Sequence, residues 1–269
     1  MKTMVFDIET VPDVESGRRI FNLEGLADAE VATAMTFHRL QETGSDFLPL
    51  HLQRIVAISV VWRYRDGLKA MSLGTAESSE QELVARFFDA IERHTPELVS
   101  WNGSGFDLPV LHYRSLLHGI QAPRYWETGD NEQSFRYNNY LGRFHWRHVD
   151  LMDVLSGYQG RSRASLNDIA TMLGLPGKLG FSGDMVWDSY QRGEIEAIRN
   201  YCETDVMNTW LVWLRFQHLR GHLDAQGLED EHARVRRLLD AADAPHWKAF
   251  AAAWAQPAPA TAGLPEAGN

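Results

Sequence analysis

Thr3-Met4-Val5-Phe6-Asp7-Ile8-Glu9-Thr10 is the stretch on which the reading of this chain turns. Thr3 to Ile8 is short, apolar and ends in acids, as the buried first strand of a sheet does. Side chains alternate along a strand, so Asp7 and Glu9 share one face while Phe6 and Ile8 enter the other layer. Two neighbouring carboxylates repel and raise each other's pKa unless a cation sits between them. Oxygen-only ligands of this kind suit Mg²⁺ or Mn²⁺ and not zinc. A solvated acidic strand end has the same pattern, so this stretch alone leaves both readings open.

Outward from it, residues 12–50 read as an irregular, partly helical excursion. Ile55 to Tyr64 is rich in β-branched and aromatic residues and reads as a strand, with a hairpin turn at Asp66-Gly67 and a return strand from Leu68 to Leu73. Ser79-Glu80-Gln81-Glu82 is a capping box that opens a helix from Glu80 to Arg93, with Leu83, Phe87, Phe88 and Ile91 on its apolar face. Leu98 to Trp101 is a short strand and Asn102 to Gly105 a turn. A helix follows to Leu117, stopped by Gly119. Residues 121–147 look loop-like, Val149 to Leu155 opens a further element, Ser165 to Leu173 is a short helix ended by Gly174, and a long helix runs from Glu194 to Leu219. Strands first, then helices alternating with a strand, make an α/β sandwich around a mixed central sheet flanked by helices. We divide the chain into a main domain at 1–220, a charged helical extension at 221–254, and a tail at 255–269 whose composition is that of a disordered segment. The extension, His232 to Ala253 above all, reads as a helix packed on the domain's own surface or as a docking segment.

With 269 residues, 44% hydrophobic and 23% charged, the composition is that of a soluble globular protein. No apolar run reaches the ~18 residues of a membrane helix, and the first residues do not read as a signal peptide. Cys202 is the single cysteine, which excludes an intrachain disulfide and argues against a cysteine zinc site; a cytoplasmic location is expected. The net charge of −10 argues against a broad basic nucleic-acid-coating face, but not against an enzyme that grips a strand end with a few arginines. There is no Gly-x-Ser-x-Gly elbow and no Walker loop, so serine hydrolase and P-loop chemistry have no support.

Two more constellations carry acids. In Trp101-Asn102-Gly103-Ser104-Gly105-Phe106-Asp107, a strand feeds a Gly-rich turn and Asp107 opens the next helix, where the dipole favours an anion. In Tyr201-Cys202-Glu203-Thr204-Asp205, helical spacing puts Tyr201 and Asp205 on one face. Each has an ordinary explanation alone: a capping acid in the first, an amphipathic helix with a core tyrosine in the second.

As an ordered set they resemble the DEDD superfamily of 3′→5′ exonucleases with a ribonuclease H-like fold. Asp7 and Glu9 match its first motif, Asn102, Phe106 and Asp107 its second, and Tyr201 and Asp205 the tyrosine form of its third. The sister form needs a histidine five residues before the aspartate, where this chain has Asn200. Over residues 1–220 the chain is similar to stand-alone bacterial proteins related to the proofreading domain of family-B DNA polymerases. His148-Val149-Asp150-Leu151, Gly177-Lys178-Leu179-Gly180-Phe181-Ser182-Gly183 and Tyr190 carry that closer likeness.

The resemblance implies hydrolysis of terminal phosphodiesters of single-stranded nucleic acid, DNA preferred, with two divalent cations, Mg²⁺ or Mn²⁺, and release of nucleoside monophosphates. It implies that Asp7 bridges both ions, that Glu9 and Asp205 complete the site of the nucleophile's metal, that Asp107 supports the second ion and that Tyr201 aims the attacking water. Asn102, Phe106 and Lys178 are candidate substrate contacts, although Asn102 also suits a turn-shaping role and Lys178 a solvated loop charge. Asp150 and Asp153 could bind metal or stabilise the fold. From Phe135 to Arg163, five arginines interleave with aromatic residues and acids are sparse, a pattern that suits either a single-strand-holding surface or a mixed surface over core rings. The rival readings are an RNA-trimming exonuclease and a catalytically weak nucleic-acid-binding module. A proofreading or repair role would need a separate polymerase or repair partner.

Overall fold

A computed structural model describes residues 2–65 and 67–255. Asp66 of the expected hairpin turn and residues 256–269 of the expected disordered tail lie outside the described residues.

Five strands, β1 (Lys2–Pro12), β2 (Gln53–Tyr64), β3 (Gly67–Ser72), β4 (Glu97–Ser100) and β5 (His148–Asp150), form one sheet in the order β3-β2-β1-β4-β5. β1, β2 and β3 pair antiparallel, whereas β4 and β5 run parallel to β1. After β1 come α1 (Val14–Phe21) and α2 (Asp28–Thr43), and after β3 comes α3 (Glu80–His94). Then follow α4 (Asp107–His118), α5 (Pro123–Trp126), α6 (Leu151–Leu155), α7 (Leu166–Met172), α8 (Val186–Gln191), α9 (Ile195–Leu219), α10 (Ala225–Ala241) and α11 (Pro245–Trp254). This is the mixed, helix-flanked α/β sandwich expected from the sequence, of ribonuclease H-like type. The 12–50 excursion is more regular than expected: α1 and α2 close over a small core of their own, with Val14, Val31, Met35 and Leu52 buried in it.

The alternation along β1 builds both layers. Met4, Phe6 and Ile8 enter the core under α3 and α4, where Phe6 meets Phe87 with ring centroids 5.0 Å apart. Val5 enters the opposite core with Met207, Trp210 and Trp213 of α9. Each such side chain stabilises the fold by about 1.5–3 kcal/mol when fully buried. α9 is apolar around most of its circumference because the sheet, α7, α8, α10 and α11 all pack on it. Val235 and Leu239 of α10 and Trp247 and Phe250 of α11 lie in that same core. Two polar ties reinforce the packing: Arg63 of β2 meets Glu231 at 2.7 Å, and His246 Nε2 lies 2.9 Å from a Glu203 oxygen.

The capping box is half formed. Ser79 Oγ accepts from Glu82 N at 3.2 Å, but the Glu82 carboxylate engages Arg86 at 2.7 Å. Glu80, an unremarked first-turn acid in the sequence, turns out to be buried. It accepts from Ile55 N at 2.6 Å and Arg114 Nε at 2.7 Å, and lies 2.8 Å from His118 Nε2. Arg114, 4% exposed, also pairs with buried Asp13. One guanidinium therefore joins the end of β1, the start of α3 and the middle of α4. Replacing it strands two carboxylates in the interior, a loss of about 3–5 kcal/mol for a broken buried pair. We expect Arg114→Ala to lower the unfolding free energy by about that amount, read from the midpoint of urea denaturation at unchanged slope.

Candidate functional site

β1 presents Asp7 and Glu9 toward α9. Directly opposite on β2 stand Ser59 and Ala57, small residues that leave the space above the carboxylates clear. The pairing register shifts just after Glu9, so the regular ladder ends where the acids are.

The turn after β4 brings in the third acid. Asn102 adopts the left-handed conformation (φ 64°), which asparagine tolerates better than most side chains. Its carbonyl accepts from Gly105 N at 2.9 Å and Phe106 N at 3.0 Å. Gly103 is required for close approach: a Cβ there would fall 2.2 Å from Ser100 Oγ. The turn delivers Asp107 to the first position of α4, where Oδ1 accepts from Ile8 N at 3.2 Å. That bond crosses directly from the first acidic stretch to the second. Asp205 comes from α9, one turn after Tyr201, and both side chains line the same cavity.

Asp7, Glu9, Asn102, Phe106, Asp107, Lys178, Tyr201 and Asp205 all line one cavity of about 650 Å³. The structure thus brings together these eight residues, but not Asp150 and Asp153, the two further acids considered for metal binding. It adds to the wall Trp101, quoted above only as the start of the second constellation, and Asn167, which no motif flagged. Asn167 Oδ1 accepts from Lys178 N at 3.0 Å and so sets the loop that carries Lys178. It also adds Cys202, whose Sγ lies 3.4 Å from the Asp7 carbonyl oxygen and 3.6 Å from Asp7 Oδ2. Candidate ligand atoms of Asp7, Glu9 and Cys202 all fall within 4.8 Å of one another.

The electrostatics are those of crowded anions. Burial pushes the Asp7 carboxyl well above its usual range, helped by Asp107, Glu9 and Asp205. Burial does the same to Glu9, with Asp205 and Asp107 adding to it and Lys178 opposing it. Burial lifts Asp107 to about 7 and Asp205 to about 6. The exposed Lys178 is the one cation that acts on Glu9 and Asp205 among the described residues. Burial also drives the Cys202 thiol up, which keeps it protonated.

Asp150 and Asp153 sit elsewhere. Asp150 accepts from Asn102 N and Ser104 N, both at 2.9 Å, and so anchors the turn that carries Asp107. Asp153 holds Arg143 at 3.0 Å and Arg163 at 2.6 Å. Both acids line a separate cavity behind the turn. The 135–163 stretch divides in two. Phe135 and Tyr140 are core residues, with Arg147 stacked 3.8 Å over Phe135. Tyr137 and Phe144 stand out in solvent, 81% and 69% exposed. No helix among the described residues is long and apolar enough to cross a membrane.

A family described as predicted 3′-5′ exonucleases related to the exonuclease domain of PolB matches residues 45–254. The range contains Asp107, Tyr201 and Asp205 and runs through α10 and α11, further than the resemblance read from the sequence. Asp7 and Glu9 precede it and are joined to it by the strand pairing. The chain is also 28% identical over 170 residues to an uncharacterized protein of Methanocaldococcus jannaschii, covering 60% of this chain and 84% of that one.

The acid cluster has a pH signature. Asp107 and Asp205 rise from 3.8 to about 7 and about 6, so the folded protein holds protons that the unfolded chain releases. Their contribution to stability is fully present below pH 3.8 and is lost as pH rises through about 6 to 7. Without divalent cations, Asp205→Asn should therefore melt higher than the unmodified protein at about pH 8, the gain shrinking toward about pH 4. Paired thermal melts in EDTA across that range check it.

Proposed function

Because the chain belongs to the family of predicted 3′-5′ exonucleases related to the exonuclease domain of PolB, we propose that it removes nucleoside monophosphates from the 3′ end of single-stranded nucleic acid, DNA in preference to RNA, with two divalent cations, Mg²⁺ or Mn²⁺. The observation that carries this reading is the convergence of Asp7, Glu9, Asp107 and Asp205 in one cavity that Tyr201 also lines. Kinship with a domain related to PolB supports DNA as the polymer.

The donor set fits the ions. It is all carboxylate oxygen apart from Cys202, and the thiol is held protonated by burial, which favours hard cations over zinc. Asp7, Glu9, Asp107 and Asp205 would hold the pair. Bound there, the cations would supply a water of lowered pKa for attack and positive charge for the leaving 3′ oxygen.

The side chains do the rest by position. The Tyr201 pKa is driven up by burial and by the neighbouring acids, so the phenol stays protonated and serves to orient the attacking water, not to take its proton. Lys178 would meet a phosphate oxygen, and its charge already acts on Glu9 and Asp205. Phe106 offers a ring to the terminal nucleotide, while the Asn102 backbone shapes the wall it rests on. This is the tyrosine version of four-carboxylate chemistry: orientation and preorganised charge, with no covalent intermediate.

The test is a gel assay on 5′-labelled single-stranded DNA and RNA of matched sequence, with Mg²⁺, Mn²⁺ or EDTA. A ladder shortening from the 3′ end, absent in EDTA and reduced by roughly a hundredfold or more in Asp7→Asn, is expected. A ladder of equal intensity in Asp7→Asn would overturn the assignment. Tyr201→Phe should slow cleavage by about tenfold to a hundredfold while retaining the rise in melting temperature on adding Mn²⁺. In the unmodified protein, cation at about a hundred times its dissociation constant should stabilise the fold by about 2.7 kcal/mol.

A further inference from the structure

The loop that brings Lys178 to the carboxylate cavity is held by a side chain that no motif above contains. α9 presents Tyr201, Asp205 and Asn208 along one face, at spacings of four and three residues. The first two line the cavity, whereas Asn208 comes one turn further on and is 1% exposed. Its carboxamide is fully used. Oδ1 accepts from Gly177 N at 3.1 Å, and Nδ2 donates to Gly177 O at 3.0 Å and to Thr204 O at 3.1 Å. One side chain thus pairs with both polar backbone groups of Gly177, as a neighbouring strand would, and ties them to the helix that carries Asp205. An aspartate has the acceptor for this arrangement but lacks the donors.

The clamp needs a glycine at 177. Its φ is 62°, and a Cβ there would fall 2.8 Å from Asn167 Oδ1. That same oxygen takes the next amide, Lys178 N, at 3.0 Å. On either side, Leu175 is buried in the core that contains the tryptophans of α9, and the Phe181 ring lies against Tyr201 with centroids 4.8 Å apart. The backbone at Lys178 is therefore tied to both α7 and α9, while its side chain is exposed, with Nζ 6.0 Å from the centre of the Tyr201 ring.

Lysine is a flexible stem ending in a point charge. Such a charge acts on a phosphate at a fixed place only if the backbone it hangs from is fixed too. We propose that Asn208 is a positioning residue: acting through Gly177, it fixes Lys178 relative to Asp205 so that the ammonium meets the phosphate of the terminal nucleotide, a role that rests on the exonuclease reading of the cavity. Losing Asn208 then costs substrate handling only while Lys178 is there to be positioned. A side chain that merely fills the core would cost the same with Lys178 or without it.

The experiment is a double-mutant cycle on the full chain, with Asn208→Ala and Lys178→Ala alone and together. Two readouts are taken in Mn²⁺. One is kcat/KM for removal of the 3′ nucleotide from a single-stranded DNA oligomer. The other is the calorimetric affinity for dTMP, which carries the phosphate but has no phosphodiester to cut. With Lys178 present, Asn208→Ala should lower kcat/KM by roughly tenfold or more and weaken dTMP binding. On top of Lys178→Ala it should change either by less than about twofold. Equal losses in both backgrounds, or no loss in either, would overturn the proposal. If melting curves show Asn208→Ala unfolded, Asn208→Ser takes its place: its hydroxyl can bond the Thr204 carbonyl four residues back, without the carboxamide that pairs with Gly177. Cleavage by the unmodified protein with equal losses in both backgrounds removes the positioning role alone. Coupled losses of dTMP affinity in a protein that cleaves no oligomer remove the exonuclease reading and leave the clamp on Lys178. A protein that shows neither cleavage nor coupling loses both.

Discussion

Four carboxylates are pressed together at the end of a sheet against their mutual repulsion, and much of the surrounding structure is arranged to hold them there. Burial and crowding raise Asp7, Glu9, Asp107 and Asp205, each of which would sit at lower free energy apart or in water. They stay together because their backbones belong to elements fixed by other forces. β1 is the centre of the sheet, α9 is locked in a core of tryptophans, and α4 is pinned by Arg114. A cluster of this kind is a store of unfavourable electrostatics that a divalent cation relieves.

The two acids of β1 and the pair on α9 were legible in the sequence because their placement follows from local periodicity: two residues along a strand, four along a helix. Asp107 was legible because the glycines announce the turn before it. The less visible parts depend on contacts far along the chain. Glu80 reads as an ordinary first-turn acid beside the capping residue Ser79, so nothing local hints at its burial, and its partners Arg114 and His118 lie 34 and 38 residues on. Cys202 stood in plain view between Tyr201 and Glu203, but its approach to Asp7 spans 195 residues. In the 135–163 stretch, interleaved cations and rings do not disclose which rings are core. Phe135 and Phe144 look alike in sequence, yet one is buried and the other faces water.

The turn from Asn102 to Asp107 is a shared wall. Asp150 grips its backbone from one side and Ile8 meets Asp107 from the other, so the two cavities cannot shift independently. Ser104 and Gly105 line one of these cavities and Asp107 lines the other, five residues after Asn102. Gly103, packed on Ser100 with no room for a side chain, keeps that segment short.

The way α10 and α11 complete the core has a practical side. By periodicity and charge, residue 220 looks like a natural seam, because a long helix ends there and a charged extension begins. The packing runs across it: Trp247 and Phe250 lie in one core with the tryptophans of α9, and His246 reaches back to Glu203, between Tyr201 and Asp205 in sequence. A reporter or affinity handle spliced in at 220 would pry that cover off and disturb the helix that carries Asp205. The place for a graft is the end of α11, past Trp247 and Phe250, the last of its residues in that core.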